Sequence, residues 1–463
     1  MGERRYHILM VPWLAFGHLL PFLQLAKSLA GNGHRISFLT TPRNIARLIP
    51  SVPDPLSHLI DFIEFRLPRV KHLPENAEAT IDLPSDELRP YLRKAFDSME
   101  HKLLDLIRDR EASASADIII YDYAACWVPP IAAKFGVPCA FFGLHNAAAF
   151  TFFGPPSSLM GAEGARTKAE DFTVKPAWIP FPSSLAYRSF EARELFNPAV
   201  LPDASGISES HRFGKSIQGC QIALIRSCNE LESEWLQLLG TLYAKPIVPV
   251  GLLPPADSIK KESIPAIDRW LDEQSPGSVV YAAFGSEAKL TAAQMEEISA
   301  GLELSEMPFL WAVNNSSGSS VPAGLVERIE GYGRGRIVVG WVPQARILAH
   351  RSVGGFLTHG GWGSIVEGLT LGRVMVVLPM MFDQGLNARN LVEKGIGVEV
   401  RRREDDGRFT GEGIAESLRL AMVEEEGEAF RTKAREYGNV LGDEDLHSAC
   451  VKQLISTLRI MLG

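Results

Sequence analysis

The sequence predicts an α/β protein made of two Rossmann-like, doubly wound parallel-sheet domains facing a cleft. Three observations carry this expectation. Short β-branched or apolar runs bounded by Gly, Pro or Asp alternate with longer helical patterns, the signature of βαβ units, and they do so in each half of the chain. The 463 residues suit two large α/β domains. With 46% apolar, 22% charged and 9% aromatic residues, the chain can bury two sizeable cores and lacks the low hydrophobicity and high charge of a disordered one.

Taken in order, the first half offers strands at 7–11, 36–40, 117–121 and 138–142, with a helix near 18–30 after the first. The Ala/Ser run 112–116 reads as a surface loop. Residues 244–263 hold Pro246, Pro249, Gly251, Pro254 and Pro255 before a polar stretch. This segment is the expected linker between an N-terminal domain, 1–243, and a C-terminal domain, 264–440. In the second half, strands are expected at 278–284, 308–313, 336–339, 355–358, 374–379 and 397–401, with a polar loop at 314–320. A last helical segment fills 441–463, and no residue-level repeat relates the halves. Two such sheets facing each other would bring their carboxyl ends to one cleft, where open α/β sheets bind ligands.

Charge and cysteine usage narrow the function. Lys plus Arg number 47 against 55 Asp plus Glu, a net charge of −8, so affinity for a phosphate backbone is not expected and nucleic acid is no partner. The N-terminal apolar stretch 7–16 is too short to span a bilayer, contains Pro12 and lacks a small-residue cleavage site. Tyr6 stands where an N-myristoylation signal requires Ser or Thr. The five cysteines, Cys126, Cys139, Cys220, Cys228 and Cys450, are scattered and form no C-x-x-C pair, so a reducing cytoplasm without membrane insertion is expected. Nothing in the sequence sets an oligomeric state.

Chemistry-bearing residues gather at strand ends. Gly17-His18 follows the first strand at the start of its helix, where the helix N-terminus disfavours imidazolium and keeps the ring usable as a base. Asp122 ends the strand 117–121 and can meet His18 across adjacent loops, giving a base oriented by a carboxylate. The alternative is that Asp122 caps the following segment and His18 is a satisfied polar residue.

A denser cluster occupies 44 residues, from Trp341, Val342 and Gln344, through His359, Trp362, Gly363, Ser364 and Glu367, to Asp383 and Gln384. Gly360-Gly361 after a strand, opening a helix, presents unhindered backbone N–H groups to an anion, with His359 and Ser364 beside them. Trp341 offers a face for a base, Glu367 an acceptor for ribose hydroxyls, and Asp383-Gln384 a grip on a sugar. The alternative, a Gly-rich turn with core tryptophans, accounts for single pieces but not for the set. Gly285-Ser286-Glu287, after the first strand of the second domain, can add a hydroxyl to a phosphate or be ordinary turn chemistry.

Other signatures fail. A P-loop ending at Gly214-Lys215-Ser216 would need Gly at 209, which is Glu209, and a dinucleotide fingerprint from Gly331 would need Gly at 336, which is Arg336. An NAD-dependent dehydrogenase on this sheet type is therefore disfavoured. The acidic triplet Asp443-Glu444-Asp445 reads as a helix start, and no metal is expected.

The 44-residue cluster resembles the signature box of the plant family 1 UDP-dependent glycosyltransferases, which reads W-x-P-Q, H-x-G-W-N-S-x-x-E and D-Q. Likeness extends to the opening strand with Gly17-His18 and to the run 267–281 before Phe284-Gly285-Ser286. The resemblance implies a GT-B fold whose last helix crosses back to the N-terminal domain. It implies an inverting, metal-independent hexosyltransferase with no cofactor, in which His18 deprotonates the acceptor and Asp122 orients it. Trp341, Val342 and Gln344 would hold uracil, Glu367 the ribose, and Ser286, His359 and Ser364 the diphosphate, with Glu287 beside them. Trp362, Asp383 and Gln384 would bind the sugar, the final Gln resembling glucose-using members.

The chain departs from the box at Gly363, where the family has Asn, and at Gly360, where it usually has Cys. The loss of an amide at 363 implies a bridging water, a weaker donor site or a changed donor preference. Runs 12–18, 41–44 and 285–287 resemble members that extend an existing sugar on flavonoid or terpenoid glycosides. The expected reaction is glucose transfer from UDP-glucose to a sugar hydroxyl of such a glycoside. Aglycone glucosylation, use of UDP-rhamnose, and an impaired UDP-sugar-binding protein are the alternatives. Trp13, Met381 and Phe382 are candidate acceptor-wall residues, with ordinary packing as the alternative.

Overall fold

The computed structural model describes residues 4–108, 116–162, 164–255, 264–285, 287–313 and 321–463. Ser286, nearly all of the loop expected at 112–116, the loop expected at 314–320, and residues 256–263 of the expected linker lie outside the described residues. The chain divides into two compact units. One comprises Met1–Lys168, Phe196–Leu253 and Glu444–Gly463, the other Ala169–Leu195 and Pro254–Asp443.

The first unit is built on seven strands: β1 (His7–Val11), β2 (Arg35–Thr40), β3 (Ile60–Glu64), β4 (Ile118–Tyr121), β5 (Cys139–Gly143), β6 (Ile222–Ile225) and β7 (Ile247–Pro249). Their order is β3-β2-β1-β4-β5-β6-β7, and every neighbouring pair is parallel. Strands such as β4 and β5 are apolar throughout because helices cover both faces of a parallel sheet. The strand order reverses between β1 and β4, and the register Val11↔Tyr121 brings their carboxyl ends level. Residues 12 onward and 122 onward therefore leave the sheet side by side.

Three of these strands were not expected. The edge strand β3 is mostly half-buried with a mixed pattern, and β6 has four residues, so neither shows a long run. The strand β7 lies inside the Pro-rich stretch expected to be linker. Pro249 is tolerated there as the last residue of an edge strand, so the boundary between units falls later, after Leu253. The last helix, Glu444–Leu462, buries Val451, Leu454, Ile455 and Leu458 in the same core as Phe22, Leu25 and Leu29 of the helix Phe16–Gly31.

The second unit carries β8 (Val279–Ala283), β9 (Phe309–Val313), β10 (Gly335–Val339), β11 (Val353–Thr358), β12 (Val374–Val377) and β13 (Gly397–Glu399), in the order β10-β9-β8-β11-β12-β13, all parallel. All six match expected strands to within two residues at each end. The order reverses between β8 and β11, where Ala283 pairs with Thr358.

Residues 169–195, expected in the N-terminal domain, belong instead to the second unit. Arg389 reaches Glu191 with Nη2 to Oε2 at 2.7 Å and Nη1 to Oε1 at 3.1 Å, and the two side chains are only 9% and 11% exposed. Arg188 Nε donates to Glu399 at 3.1 Å, and the Arg402 guanidinium sits 4.5 Å over the Phe190 ring. Gly385 makes room for the ion pair, since a Cβ there would lie 2.3 Å from Arg389 Nη1 and 2.5 Å from Glu191 Oε1. These partners are about two hundred residues apart in sequence, so no local pattern announces them. No described helix is long and apolar enough to cross a membrane.

Breaking this buried fork by Arg389→Ala leaves the Glu191 carboxylate with the Arg188 N–H at 2.8 Å but without its countercharge, and is expected to cost about 3–5 kcal/mol, whereas the paired change Arg389→Met with Glu191→Leu, which removes both charges, should cost less. Urea unfolding midpoints of the variants check this, and equal losses from the single and the paired change would refute it.

Candidate active site

Each unit concentrates its polar chemistry where its strand order reverses, the place at which open α/β sheets bind ligands. In the first unit the chain leaving β1 runs through Pro12 and Trp13 into the helix Phe16–Gly31, which carries His18 in its first turn. The chain leaving β4 begins with Asp122. His18 Nδ1 lies 2.7 Å from Asp122 Oδ2. Asp122 is 2% exposed, and its carboxylate also accepts the Trp13 N–H at 3.2 Å and the Tyr123 N–H at 2.6 Å. A carboxylate that accepts from the ring requires the proton on Nδ1, which leaves the Nε2 lone pair available as a base. Asp122 thus caps the following turn and at the same time holds the His18 ring through Nδ1.

Below the pair, the Tyr123 hydroxyl donates to Glu209 at 3.2 Å, and Arg93 joins Glu209 and Asp203 at 2.7 Å each. Burial and the neighbouring Glu209 carboxylate push the Tyr123 phenol far up, so it remains a proton donor. The Tyr123 ring, 5.8 Å from that of His18, stacks on Phe213 at 4.2 Å and 10°. Phe213 adjoins His145 and Phe153, each 5.9 Å away. His145, Phe153 and Phe213 are half-buried. This aromatic face beside His18 was missed in the sequence. Its residues come from after β5, from the helix Ala147–Phe153 and from the helix Glu209–Gly219. Only His145, just past a strand end, carried a readable signal.

Trp13 is placed differently from expectation. Its ring is 2% exposed and packs edge-on against Phe96 at 5.2 Å, because the residue turns into the core as the chain leaves β1. Its contribution to the pair is its backbone N–H. Met381 is half-buried, and Phe382 is 38% exposed at φ +53°, a conformation that bulky residues rarely hold without a local reason.

In the second unit His359 and Gly360-Gly361 leave β11, and the helix Trp362–Thr370 opens with Gly361 as its N-cap. The imidazole of His359 occupies space kept by two glycines. A Cβ at Gly285 would fall 2.7 Å from the ring, and one at Gly361 equally close. Burial pushes the His359 pKa down to about 4, against the opposing pull of Asp383 and Glu287, so the ring is neutral at physiological pH. Its Nδ1 lies 3.2 Å from the Thr358 hydroxyl. Gly360 sits at φ +86°, and a Cβ there would meet Val377 Cγ1 at 2.6 Å, which explains glycine at this position.

Trp341, after β10, is 71% exposed, and Val342 beside it is buried. Gln344 accepts from the Tyr281 hydroxyl at 3.4 Å and donates to Glu367 at 3.0 Å, fixing that carboxylate. Gly363 and Ser364 lie half-buried in the first turn of the helix Trp362–Thr370, and Trp362 is buried. After β12, Gln384 Oε1 accepts from Met380 N at 2.8 Å and Met381 N at 2.9 Å, while Asp383 and Gln384 are 8% and 5% exposed. The described residues thus set Gly285 and Gly361 against the His359 ring, with Glu287 and Asp383 near enough to act on its charge, and bring Gln344 and Glu367 together as a second pair.

Residues 243–426 match the family model described as UDP-glucoronosyl and UDP-glucosyl transferase. The chain is 45% identical over 460 residues to UDP-glycosyltransferase 91C1 of Arabidopsis thaliana, covering 99% of this chain and 97% of that one. It is 37% identical over 472 residues to the soyasaponin III rhamnosyltransferase of Glycine max, covering 99% and 96%. Among solved structures, UGT89C1 of Arabidopsis thaliana complexed with UDP-L-rhamnose aligns with a TM-score of 0.75 at 26% identity, over 98% of this chain and 100% of that one.

Two outcomes are expected. Gly360→Ala, which combines a left-handed φ with the Val377 collision, should cost about 1–3 kcal/mol, read as a lowered thermal midpoint. The buried His359 should make stability fall as pH drops from its ordinary value of 6.5 towards about 4, since in that window the unfolded chain takes up a proton that the folded one refuses. Above that window the position contributes no pH dependence. His359→Gln should flatten the stability profile between these values, and an unchanged slope in denaturant titrations would count against the neutral ring.

Proposed function

The chain belongs to the plant family 1 UDP-glycosyltransferases, and on that premise we propose that it transfers glucose from UDP-glucose, with inversion, to a sugar hydroxyl of a plant natural-product glycoside of flavonoid or terpenoid type. The observation that carries the mechanism is the 2.7 Å bond from His18 Nδ1 to Asp122, which leaves Nε2 as the base. His18 takes the proton of the acceptor hydroxyl, and the resulting imidazolium is balanced by the buried carboxylate. The acceptor oxygen forms its bond to the anomeric carbon as the bond from that carbon to the diphosphate oxygen breaks, and UDP departs.

Charge on the departing diphosphate is met by backbone N–H groups at the start of the helix Trp362–Thr370, by the neutral His359 and by Ser364. With that stabilisation built from the chain, the reading requires neither a metal nor a cofactor. Trp341 supplies an exposed face for uracil, Glu367 held by Gln344 receives the ribose, and Asp383 and Gln384 receive the sugar. In the first unit, the aromatic face of Tyr123, Phe213, His145 and Phe153 suits the flat or fused-ring part of such an acceptor. A cytoplasmic setting belongs to the same reading, since all five cysteines are buried and unpaired.

Sugar-on-sugar transfer is favoured by the likeness to a relative named for rhamnosyl transfer and soyasaponin III. The same name, with the UDP-L-rhamnose held by the similar solved structure, favours UDP-rhamnose as a second donor reading.

Incubation with UDP-glucose or UDP-rhamnose and paired panels of aglycones and their monoglucosides, read by product mass in the presence of EDTA, tests this. Mass gain on the glycosides from UDP-glucose is expected. Gain chiefly on aglycones would replace the acceptor assignment, and gain only with UDP-rhamnose the donor assignment. UDP binding without turnover on either panel would favour the impaired binder, with Gly363 as its cause. His18→Ala should lower kcat about 10²- to 10⁴-fold, with smaller change in UDP binding.

A further inference from the structure

Asp383 stands at the N-cap of the helix Gln384–Lys394, a position at which Asp ordinarily accepts a backbone N–H of the first turn, yet its side chain makes no such capping bond. Its carboxylate is held instead by the side chain one turn on. Asn387 Nδ2 donates to Asp383 Oδ2 at 2.9 Å. The same nitrogen donates to the carbonyl of Gly360, also at 2.9 Å. Asn387 is fully buried, and both protons of its amide are thereby engaged.

The second bond has a consequence fixed by covalent geometry. A trans peptide is planar, and its C=O and N–H point in opposite directions. Drawing the Gly360 carbonyl towards Asn387 therefore turns the Gly361 N–H away from Asn387, at the N-terminus of the helix Trp362–Thr370. Gly360 at φ +86° has the backbone freedom to rotate that peptide, so an external restraint is needed to hold it.

We propose that Asn387 is a positioning residue for the donor, one buried amide that sets at once the sugar-gripping carboxylate of Asp383 and the anion-binding peptide Gly360-Gly361. This rests on the reading of those two elements as donor-binding. Through Asn387 the loop after β12 and the loop after β11 take up their orientations together, so sugar and diphosphate are presented to each other in one geometry.

The test compares Asn387→Ala, Asn387→Ser and Asp383→Ala with the unaltered full-length chain. UDP affinity is measured by calorimetry, and kcat and KM for UDP-glucose and for the acceptor by steady-state kinetics. Asn387→Ala is expected to raise KM for UDP-glucose about tenfold, the scale of a lost buried hydrogen bond, and to weaken UDP severalfold. The acceptor KM should stay unchanged. Asn387→Ser, which keeps one donor in a smaller side chain, should fall between. Asp383→Ala should weaken UDP-glucose while leaving UDP nearly unaffected.

If Asp383→Ala changes neither ligand, the assignment of the sugar site fails. If Asp383→Ala weakens UDP-glucose and the folded Asn387 variants bind both nucleotides within twofold of the unaltered chain, the positioning role alone is overturned. A drop in thermal midpoint of both Asn387 variants without a selective change in donor KM would equally overturn it, making Asn387 a packing residue.

Discussion

In a parallel sheet whose strand order reverses, the chains leaving two adjacent strands turn away from each other, and the gap between them is lined by backbone groups and side chains that no crossover covers. Both sheets of this protein have such a gap, between β1 and β4 and between β8 and β11. The rest of the functional architecture depends on this constraint. His18 and Asp122 flank the first gap, and Gly285 and His359 flank the second. Level registers, Val11 with Tyr121 and Ala283 with Thr358, convert a topological rule into contact distances.

The two histidines show how differently two environments can hold one kind of side chain. His18 Nδ1 lies against a buried carboxylate that is itself secured by two backbone N–H groups, so its ring is oriented and Nε2 is left unengaged by that carboxylate. His359 is enclosed between two glycine positions and lies beside Thr358, and burial keeps it uncharged. Glycine serves this second site by absence of volume: at 285 and 361 for the ring, at 360 for Val377, and at 385 for the Arg389–Glu191 pair.

That ion pair links the site to an unexpected part of the chain. Residues 169–195 lie in sequence between strands of the first sheet but pack with the second unit through Glu191, Arg188 and Phe190. Arg389 belongs to the same helix as Gln384 and Asn387, so the inserted segment braces the helix that follows β12. A desolvated fork of this kind adds little net stability over an apolar contact but fixes orientation, since neither charge tolerates losing its partner.

Much of this was legible in the residues themselves. Apolar runs of four to seven residues located all six strands of the second sheet and four of the first, because strands covered on both faces tend to be continuously apolar. Glycines and polar groups immediately after those runs marked His18, Asp122 and His359, since parallel strands end on the ligand-binding edge. What periodicity could not reveal were pairings without a local signature: the half-buried β3, the short β6, and β7 within a Pro-rich stretch. Nor could it reveal the buried ring of Trp13, the stack of Tyr123 on Phe213, the bonds of Asn387, or the attachment of 169–195. Spacing along the chain determines which side chains share a strand or a helix face. Which of them meet across two hundred residues is decided by packing, through close contacts and desolvated hydrogen bonds that exist only once the sheets have formed.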